Sequence, residues 1–125
     1  MKKALVVDDS LSAREEMAEI LQELGFAVTH AENGRQAFEI FKKNREIGLI
    51  LTDYNMPVAD GLFLCENVFE LTDGHPPITF IITTEVSMEH RKPFRKLGVK
   101  GWIVKPYQKE SVKKALEQVV ERLSP

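Results

Sequence analysis

Leu49-Ile50-Leu51-Thr52-Asp53-Tyr54-Asn55-Met56-Pro57-Val58-Ala59-Asp60-Gly61 carries a strand and a loop within thirteen residues and leads directly into a helix. Leu49 to Thr52 is a short apolar run with no polar alternation, stopped by Asp53. Such a run reads as a strand covered on both faces, which is the habit of parallel sheets. Asn55 to Gly61 reads as a loop by its Pro and Gly. The apolar-rich stretch Leu62 to Leu71 then predicts a helix.

The same unit recurs on either side. Upstream, Ala4-Leu5-Val6-Val7 is a buried-strand run stopped by Asp8-Asp9. Ser12 and Glu15 have the spacing of a capping box, and Met17, Ile20, Leu21 and Leu24 follow at helical spacing until Gly25 ends the helix. Phe26 to Ala31 is a second strand, Asn33-Gly34 a turn, and Ala37, Phe38 and Phe41 mark a second helix. Downstream, the breaker Thr72 to Pro77 precedes a fourth strand, Ile78 to Ile82, which ends at Thr83. A polar helix runs to Gly98, and Trp102-Ile103-Val104 is a short fifth strand before Lys105-Pro106. Val112, Leu116, Val119, Val120 and Leu123 give the strongest helical stripe. Five strands alternating with five helices predict an α/β fold, a doubly wound parallel sheet. Ligands of such sheets sit beyond the carboxyl ends of the strands, at the topological switch point.

The chain of 125 residues suits one domain, spanning 1–125, and is long enough to bury a core without staples. A net charge of -2 gives no electrostatic footprint for nucleic acid. One cysteine, Cys65, rules out an internal disulfide and is expected to be a half-buried structural thiol. There is no secretory signal and no apolar run near membrane-span length, so a cytoplasmic location is expected. His30, His75 and His90 fall on a strand, a breaker loop and a helix, and suggest no metal cluster.

The chemistry-bearing residues stand at the strand ends: Asp8 and Asp9 after the first, Asp53 after the third, Thr83-Thr84 after the fourth, Lys105 after the fifth. Taken singly, each is an ordinary helix cap, turn or surface residue. In a parallel sheet these ends share one edge, so three carboxylates, two hydroxyls and an ammonium can converge there. Two carboxylates roughly 5 Å apart repel by about 3 kcal/mol at an effective dielectric of 20. Lys105 offsets only part of this, and a divalent cation with oxygen ligands is the simple remedy. Mg2+ fits because it takes few carboxylates and keeps waters and a phosphate oxygen. A carboxylate placed beside it can act as nucleophile and form an acyl phosphate, with charge held by the metal, Lys105 and the Thr83 hydroxyl.

These residues resemble the receiver domain of bacterial two-component response regulators, and most closely its stand-alone chemotaxis members. The motifs are Val-Val-Asp8-Asp9-Ser, Leu-Thr-Asp53-Tyr-Asn55-Met-Pro-Val-Ala-Asp60-Gly61, Ile-Ile-Thr83-Thr84-Glu85 and Trp102-Ile-Val-Lys105-Pro106. The resemblance runs from about Lys3 to Leu123. It implies a flavodoxin-like five-stranded sheet in the order 2-1-3-4-5. It implies Asp53 as phosphoryl acceptor, and Asp8, Asp9, Asp53 and the Asn55 carbonyl as the Mg2+ ligands. Thr83 and Lys105 would grip the phosphoryl oxygens, Gly61 would shape the loop after Asp53, and Lys105-Pro106 would be a cis peptide. A histidine kinase or a small phosphodonor would supply the group, with slow autodephosphorylation and no catalysis beyond that. Thr83 and Trp102 would form the switch, read by an output partner at the face of the fourth helix, fifth strand and fifth helix. No nucleic acid and no membrane partner is expected, and the state is a monomer or weak dimer.

Two positions depart from the family pattern. Pro93 falls inside the expected fourth helix, which predicts a kink there or a late start near Lys92-Pro93. Thr84 stands where the family usually has Ala or Gly, and would narrow access to Asp53. Trp102 takes the place of the family's switch aromatic. Glu85 and Asn55 fall at positions that resemble the family's lifetime-tuning sites. The basic run from His90 to Lys100 reads as a solvated face, with an acidic partner surface as the other reading. Two rival functions remain at this stage: a haloacid-dehalogenase-like phosphatase, whose aspartate nucleophile follows the first strand, and a receiver-like binding module that is not phosphorylated.

Overall fold

The computed structural model describes residues 2–121. Ten elements alternate along the chain: β1 (Lys2–Val7), α1 (Leu11–Glu23), β2 (Phe26–Ala31), α2 (Gly34–Lys43), β3 (Leu49–Thr52), α3 (Gly61–Leu71), β4 (Ile78–Thr83), α4 (Met88–Arg95), β5 (Gly101–Val104) and α5 (Lys109–Val120). The sheet is parallel throughout, in the order β2-β1-β3-β4-β5. This is the flavodoxin-like fold with the expected strand order. Leu123 of the apolar stripe lies outside the described residues.

The apolar strand runs are explained by two-sided burial. Side chains alternate across a strand, so Ala4 and Val6 join Met17, Leu21, Val112 and Leu116 beneath α1 and α5. Leu5 and Val7 point the other way and pack with Ala37, Phe41, Leu64 and Val68 of α2 and α3. A third cluster, Cys65, Ile81 and Phe94, lies under α3 and α4. Cys65 is fully buried rather than half-buried, and burial pushes its thiol up to about 12.

Local chemistry sets the helix boundaries. Ser10, not Ser12, caps α1, its hydroxyl accepting from the Ala13 amide at 3.3 Å. The capping box read at Ser12 and Glu15 is therefore displaced: the helix begins at Leu11, so both residues are already inside its first turns. Asn33 and Asp60 cap α2 and α3 by accepting from Gln36 and Phe63 amides, both at 2.9 Å. Gly25 follows α1 at φ +91°, a left-handed conformation that favours glycine.

α4 does not start late. Ser87 caps it and it runs from Met88 through Pro93 to Arg95. Proline is tolerated here because the residue is exposed and lies near the end of a short helix. The ladder bond it removes would have used the Glu89 carbonyl, on an exposed residue that water can reach. No described helix is long and apolar enough to cross a membrane.

Candidate functional site at the carboxyl edge of the sheet

Register alone brings the distant acids together. Val7 of β1 stands opposite Thr52 of β3, so the next residues, Asp8 and Asp53, leave the sheet side by side. The pairing continues one step past the strands, with the Asp53 amide donating to the Val7 carbonyl at 2.9 Å. Thr83 ends β4 opposite Val104 of β5, and the Lys105 amide donates to the Thr83 carbonyl at 2.8 Å. The loop after Asp53 is pinned by the Gly61 amide, which donates to the Tyr54 carbonyl at 2.9 Å. A side chain on Gly61 would run into the Asp53 carbonyl oxygen, so glycine there lets the loop close over its own start. Lys105-Pro106 is cis, as the resemblance implied.

The acidic residues form one recess. Asp8, Asp9 and Asp53 each offer a carboxylate oxygen, and these atoms lie within 4.8 Å of one another. Asp8 and Asp53 are buried, while Asp9 is exposed at the mouth. The Lys105 ammonium bridges the two buried acids, at 2.8 Å from Asp8 Oδ2 and 3.1 Å from Asp53 Oδ2. Burial alone would pull the Lys105 pKa down. The hydrogen bond that Lys105 donates to Asp8 and the charges of Asp53 and Asp8 outweigh it and hold the ammonium above its ordinary range.

The remaining Asp53 oxygen, Oδ1, accepts from the Asn55 amide at 3.2 Å. Thr83 is buried, and its hydroxyl accepts from the Glu85 amide at 3.3 Å. Among the described residues no hydrogen bond uses the Thr83 hydroxyl proton. Trp102 is half-buried, and its indole donates to the Glu85 carbonyl at 2.9 Å. Tyr54 and Phe94 pack against the indole, and the Arg91 guanidinium lies over its ring. Thr84 is exposed beside this network.

Three carboxylates against one ammonium leave the recess negative, and its donors are all hard oxygens. That set suits a divalent cation of the Mg2+ type, which takes a few carboxylates and retains waters. Among the described residues this is the one cluster of His, Cys, Asp or Glu close enough to hold a metal ion.

Arg14 is the part of this edge that motif reading missed. It is on α1, is buried, and donates from Nη1 to the Asp8 carbonyl at 2.7 Å. A signal was present: position 14 shares the helical stripe of Met17, Ala18 and Leu21, where a charge has no place unless it has a polar partner inside.

Known proteins agree with this geometry. A family profile described as "Response regulator receiver domain" matches residues 4–117. Chemotaxis protein CheY-3 of Vibrio cholerae is 34% identical over 123 residues, which is 97% of this chain and 93% of that protein. Chemotaxis protein CheY of Halobacterium salinarum is 35% identical, over 95% of this chain and 97% of its own. Among solved structures, the chemotaxis response regulator CheY4 of Vibrio cholerae aligns with a TM-score of 0.85 at 35% identity, covering 95% of this chain and 98% of that one. A CheX-CheY complex with BeF3 and Mg2+ from Borrelia burgdorferi aligns with a TM-score of 0.84 at 25% identity, covering 99% and 90%. Sheet order, an acid recess built from the ends of β1 and β3, and a family match over most of the length lead to one conclusion: this chain belongs to the response regulator receiver domain family, and is similar throughout to its chemotaxis members.

Proposed function

We propose that this protein is a phosphorylation-dependent switch in which Asp53 takes up a phosphoryl group. The observation that carries this reading is the Lys105 ammonium shared between Asp8 and Asp53, inside a recess that also presents Asp9. A carboxylate oxygen of Asp53 attacks phosphorus, and the bond from phosphorus to the donor's nitrogen or oxygen breaks. The product is an acyl phosphate on Asp53, and the donor leaves with the electron pair. Lys105 then passes its hydrogen bond from the Asp53 carboxylate to a phosphoryl oxygen. Thr83, whose proton is uncommitted, donates to another. The Asn55 amide keeps Asp53 aimed, and Asp8, Asp9, Asp53 and the Asn55 carbonyl would hold Mg2+. When bound, Mg2+ supplies neutralising charge for the phosphoryl oxygens.

The donor would be a histidine kinase or a small phosphodonor in the cytoplasm, and the protein would turn over only its own phosphoryl group. Intact-mass spectrometry with acetyl phosphate tests the reading. The expected result is the mass of one phosphoryl group, gained with Mg2+ and absent with EDTA, and mapping to Asp53. Phosphorylation on another residue, or none under either condition, overturns it.

The signal would leave through Glu85. Its amide donates to the Thr83 hydroxyl and its carbonyl accepts from Trp102, so a pull on Thr83 moves the anchor of the indole. The two packings of α4 and β5 would then change in population. Arg91, Arg95, Lys100, Phe94 and Trp102 line a groove of about 230 Å³ on this face, which supports an output partner docking there. Trp102 is the sole tryptophan, so phosphorylation should change the protein's emission intensity or maximum. Unchanged emission at full Asp53 modification would remove Trp102 from the switch.

Thr84 is exposed directly after Thr83, at the end of β4. Thr84→Ala should speed phosphorylation by acetyl phosphate by about threefold, a barrier change of under 1 kcal/mol. Equal rates would show that Thr84 does not narrow the approach to Asp53.

A further inference from the structure

Three charged side chains are buried among the described residues: Asp8, Asp53 and Arg14. The first two belong to the acid recess and have Lys105 as their counter-ion. Among the described residues Arg14 has no carboxylate partner, and its Nε is buried without any hydrogen bond. A buried arginine with one donor left unpaired is a poor way to fill space, since an apolar side chain of similar length would pack there without that cost. Its purpose lies in what its other end does. Nη1 donates to the main-chain oxygen of Asp8, the carbonyl of the peptide that joins Asp8 to Asp9.

That peptide decides where Asp9 points. Asp8 is held at every other polar atom: its amide by the Ala31 carbonyl, Oδ1 by the Ser10 amide and Oδ2 by Lys105. Asp9 has no hydrogen bond of its own among the described residues, and it is exposed. The direction of its Cα–Cβ bond is set by the plane of the Asp8–Asp9 peptide together with the Asp9 φ, and Arg14 clamps that plane from inside the protein.

We propose that Arg14 is a positioning residue for the cation site: it acts through the Asp8 carbonyl to aim the Asp9 carboxylate at the point where those of Asp8 and Asp53 converge. This rests on the reading of the recess as a Mg2+ site. The two cations of the site have separate tasks. Lys105 bonds carboxylates and would pass to the phosphoryl group, whereas the hydrogen bond of Arg14 goes to backbone and would stay in place.

The test is Mg2+ affinity, measured by amide NMR titration, which reports on the folded molecules alone. The proteins are wild type, Arg14→Met, Arg14→Lys, Asp9→Asn and the Arg14→Met/Asp9→Asn double variant. Arg14→Met should weaken Mg2+ binding about tenfold, as loss of an outer partner does at other metal sites. Arg14→Lys keeps a donor on a shorter reach, and should lose only about threefold relative to wild type. The double variant should bind no more weakly than Asp9→Asn alone, because Arg14 acts through Asp9. A purely structural arginine would lower stability toward urea yet leave these constants within about twofold of wild type, and that result overturns the proposal. Fully additive losses in the double variant overturn it as well. If Arg14→Met does not fold, Arg14→Lys decides: a threefold loss supports the proposal and an unchanged constant refutes it. A wild type with no saturable Mg2+ response would instead overturn the cation-site reading, and this inference with it.

Discussion

Replacing Asp53 by Asn should abolish phosphoryl uptake while leaving the protein folded and, in EDTA, no less stable. Asn has the same outline, but its amide is no nucleophile toward phosphorus, so no mass gain is expected with acetyl phosphate and Mg2+. The stability effect follows from the charges around Asp53. Its repulsion with Asp8 and with Asp9 disappears, each pair up to about 3 kcal/mol at 5 Å and a dielectric of 20, and the attraction to Lys105, about 5 kcal/mol at 3.1 Å on the same scale, goes with it. Asp53 accepts from both Lys105 and the Asn55 amide, so the Asn side chain must turn an NH2 group toward one of them. That mismatch takes back about 1–2 kcal/mol. Gains and losses nearly cancel on this scale, so without metal the urea midpoint should be unchanged or slightly higher. The stabilisation that Mg2+ gives the wild type should shrink in the variant. If Asp53→Asn still gains a phosphoryl group, the acceptor is elsewhere. If it is less stable than wild type in EDTA, the acids of the recess do not oppose one another as the geometry suggests.

Lys105→Met removes the ammonium and keeps most of the aliphatic stem, and its two main effects should run in opposite directions. Phosphorylation should slow by about 10²–10³-fold, the usual loss when one donor to the developing charge is deleted. Mg2+ should bind more tightly, because the ammonium now held by Asp8 and Asp53 no longer competes for their oxygens. In EDTA the variant should be less stable, with two buried carboxylates left without a counter-ion. The pH dependence has a definite sign. The Lys105 pKa is raised in the folded protein. Its contribution to stability is therefore fully present below the ordinary lysine pKa, and is lost as pH rises through the elevated folded value. The wild type should lose that part of its stability on the alkaline side, and Lys105→Met should lack that decline. A variant that phosphorylates at the normal rate, or binds Mg2+ more weakly, would show that Lys105 is a structural bridge only.

The elements of this protein were legible because each one advertises itself locally. Most of the strands are carried by short apolar-rich runs ended by Asp, Thr or Lys, and β2 and β3 fall within the limits read from the sequence. The acids, Thr83 and Lys105 were legible for the same reason, since each stands at the end of such a run or in the loop that follows, whereas Arg14, inside α1, was not. Motif spacing then carried the strand order, which periodicity cannot supply. Where local signals compete, reading is less sure. Ser10 and Ser12 both have the chemistry of a cap, and only the backbone direction after Asp9 selects Ser10. Pro93 forbids one hydrogen bond, but whether a helix tolerates this depends on whether water can reach the orphaned carbonyl.

By itself, the order of residues determined that five buried strands alternate with five helices, and that acids, a hydroxyl and an ammonium stand at their ends. Tertiary structure alone decided which of these meet. The pairing of Val7 with Thr52 sets Asp8 beside Asp53, Lys105 reaches both across a separation of 97 and 52 residues, and Arg14 turns inward to the Asp8 carbonyl rather than outward to water. The physical reason is range. Periodicity and capping act within a few residues, whereas register, burial of a charge and the partner of a side chain belong to the packed sheet as a whole.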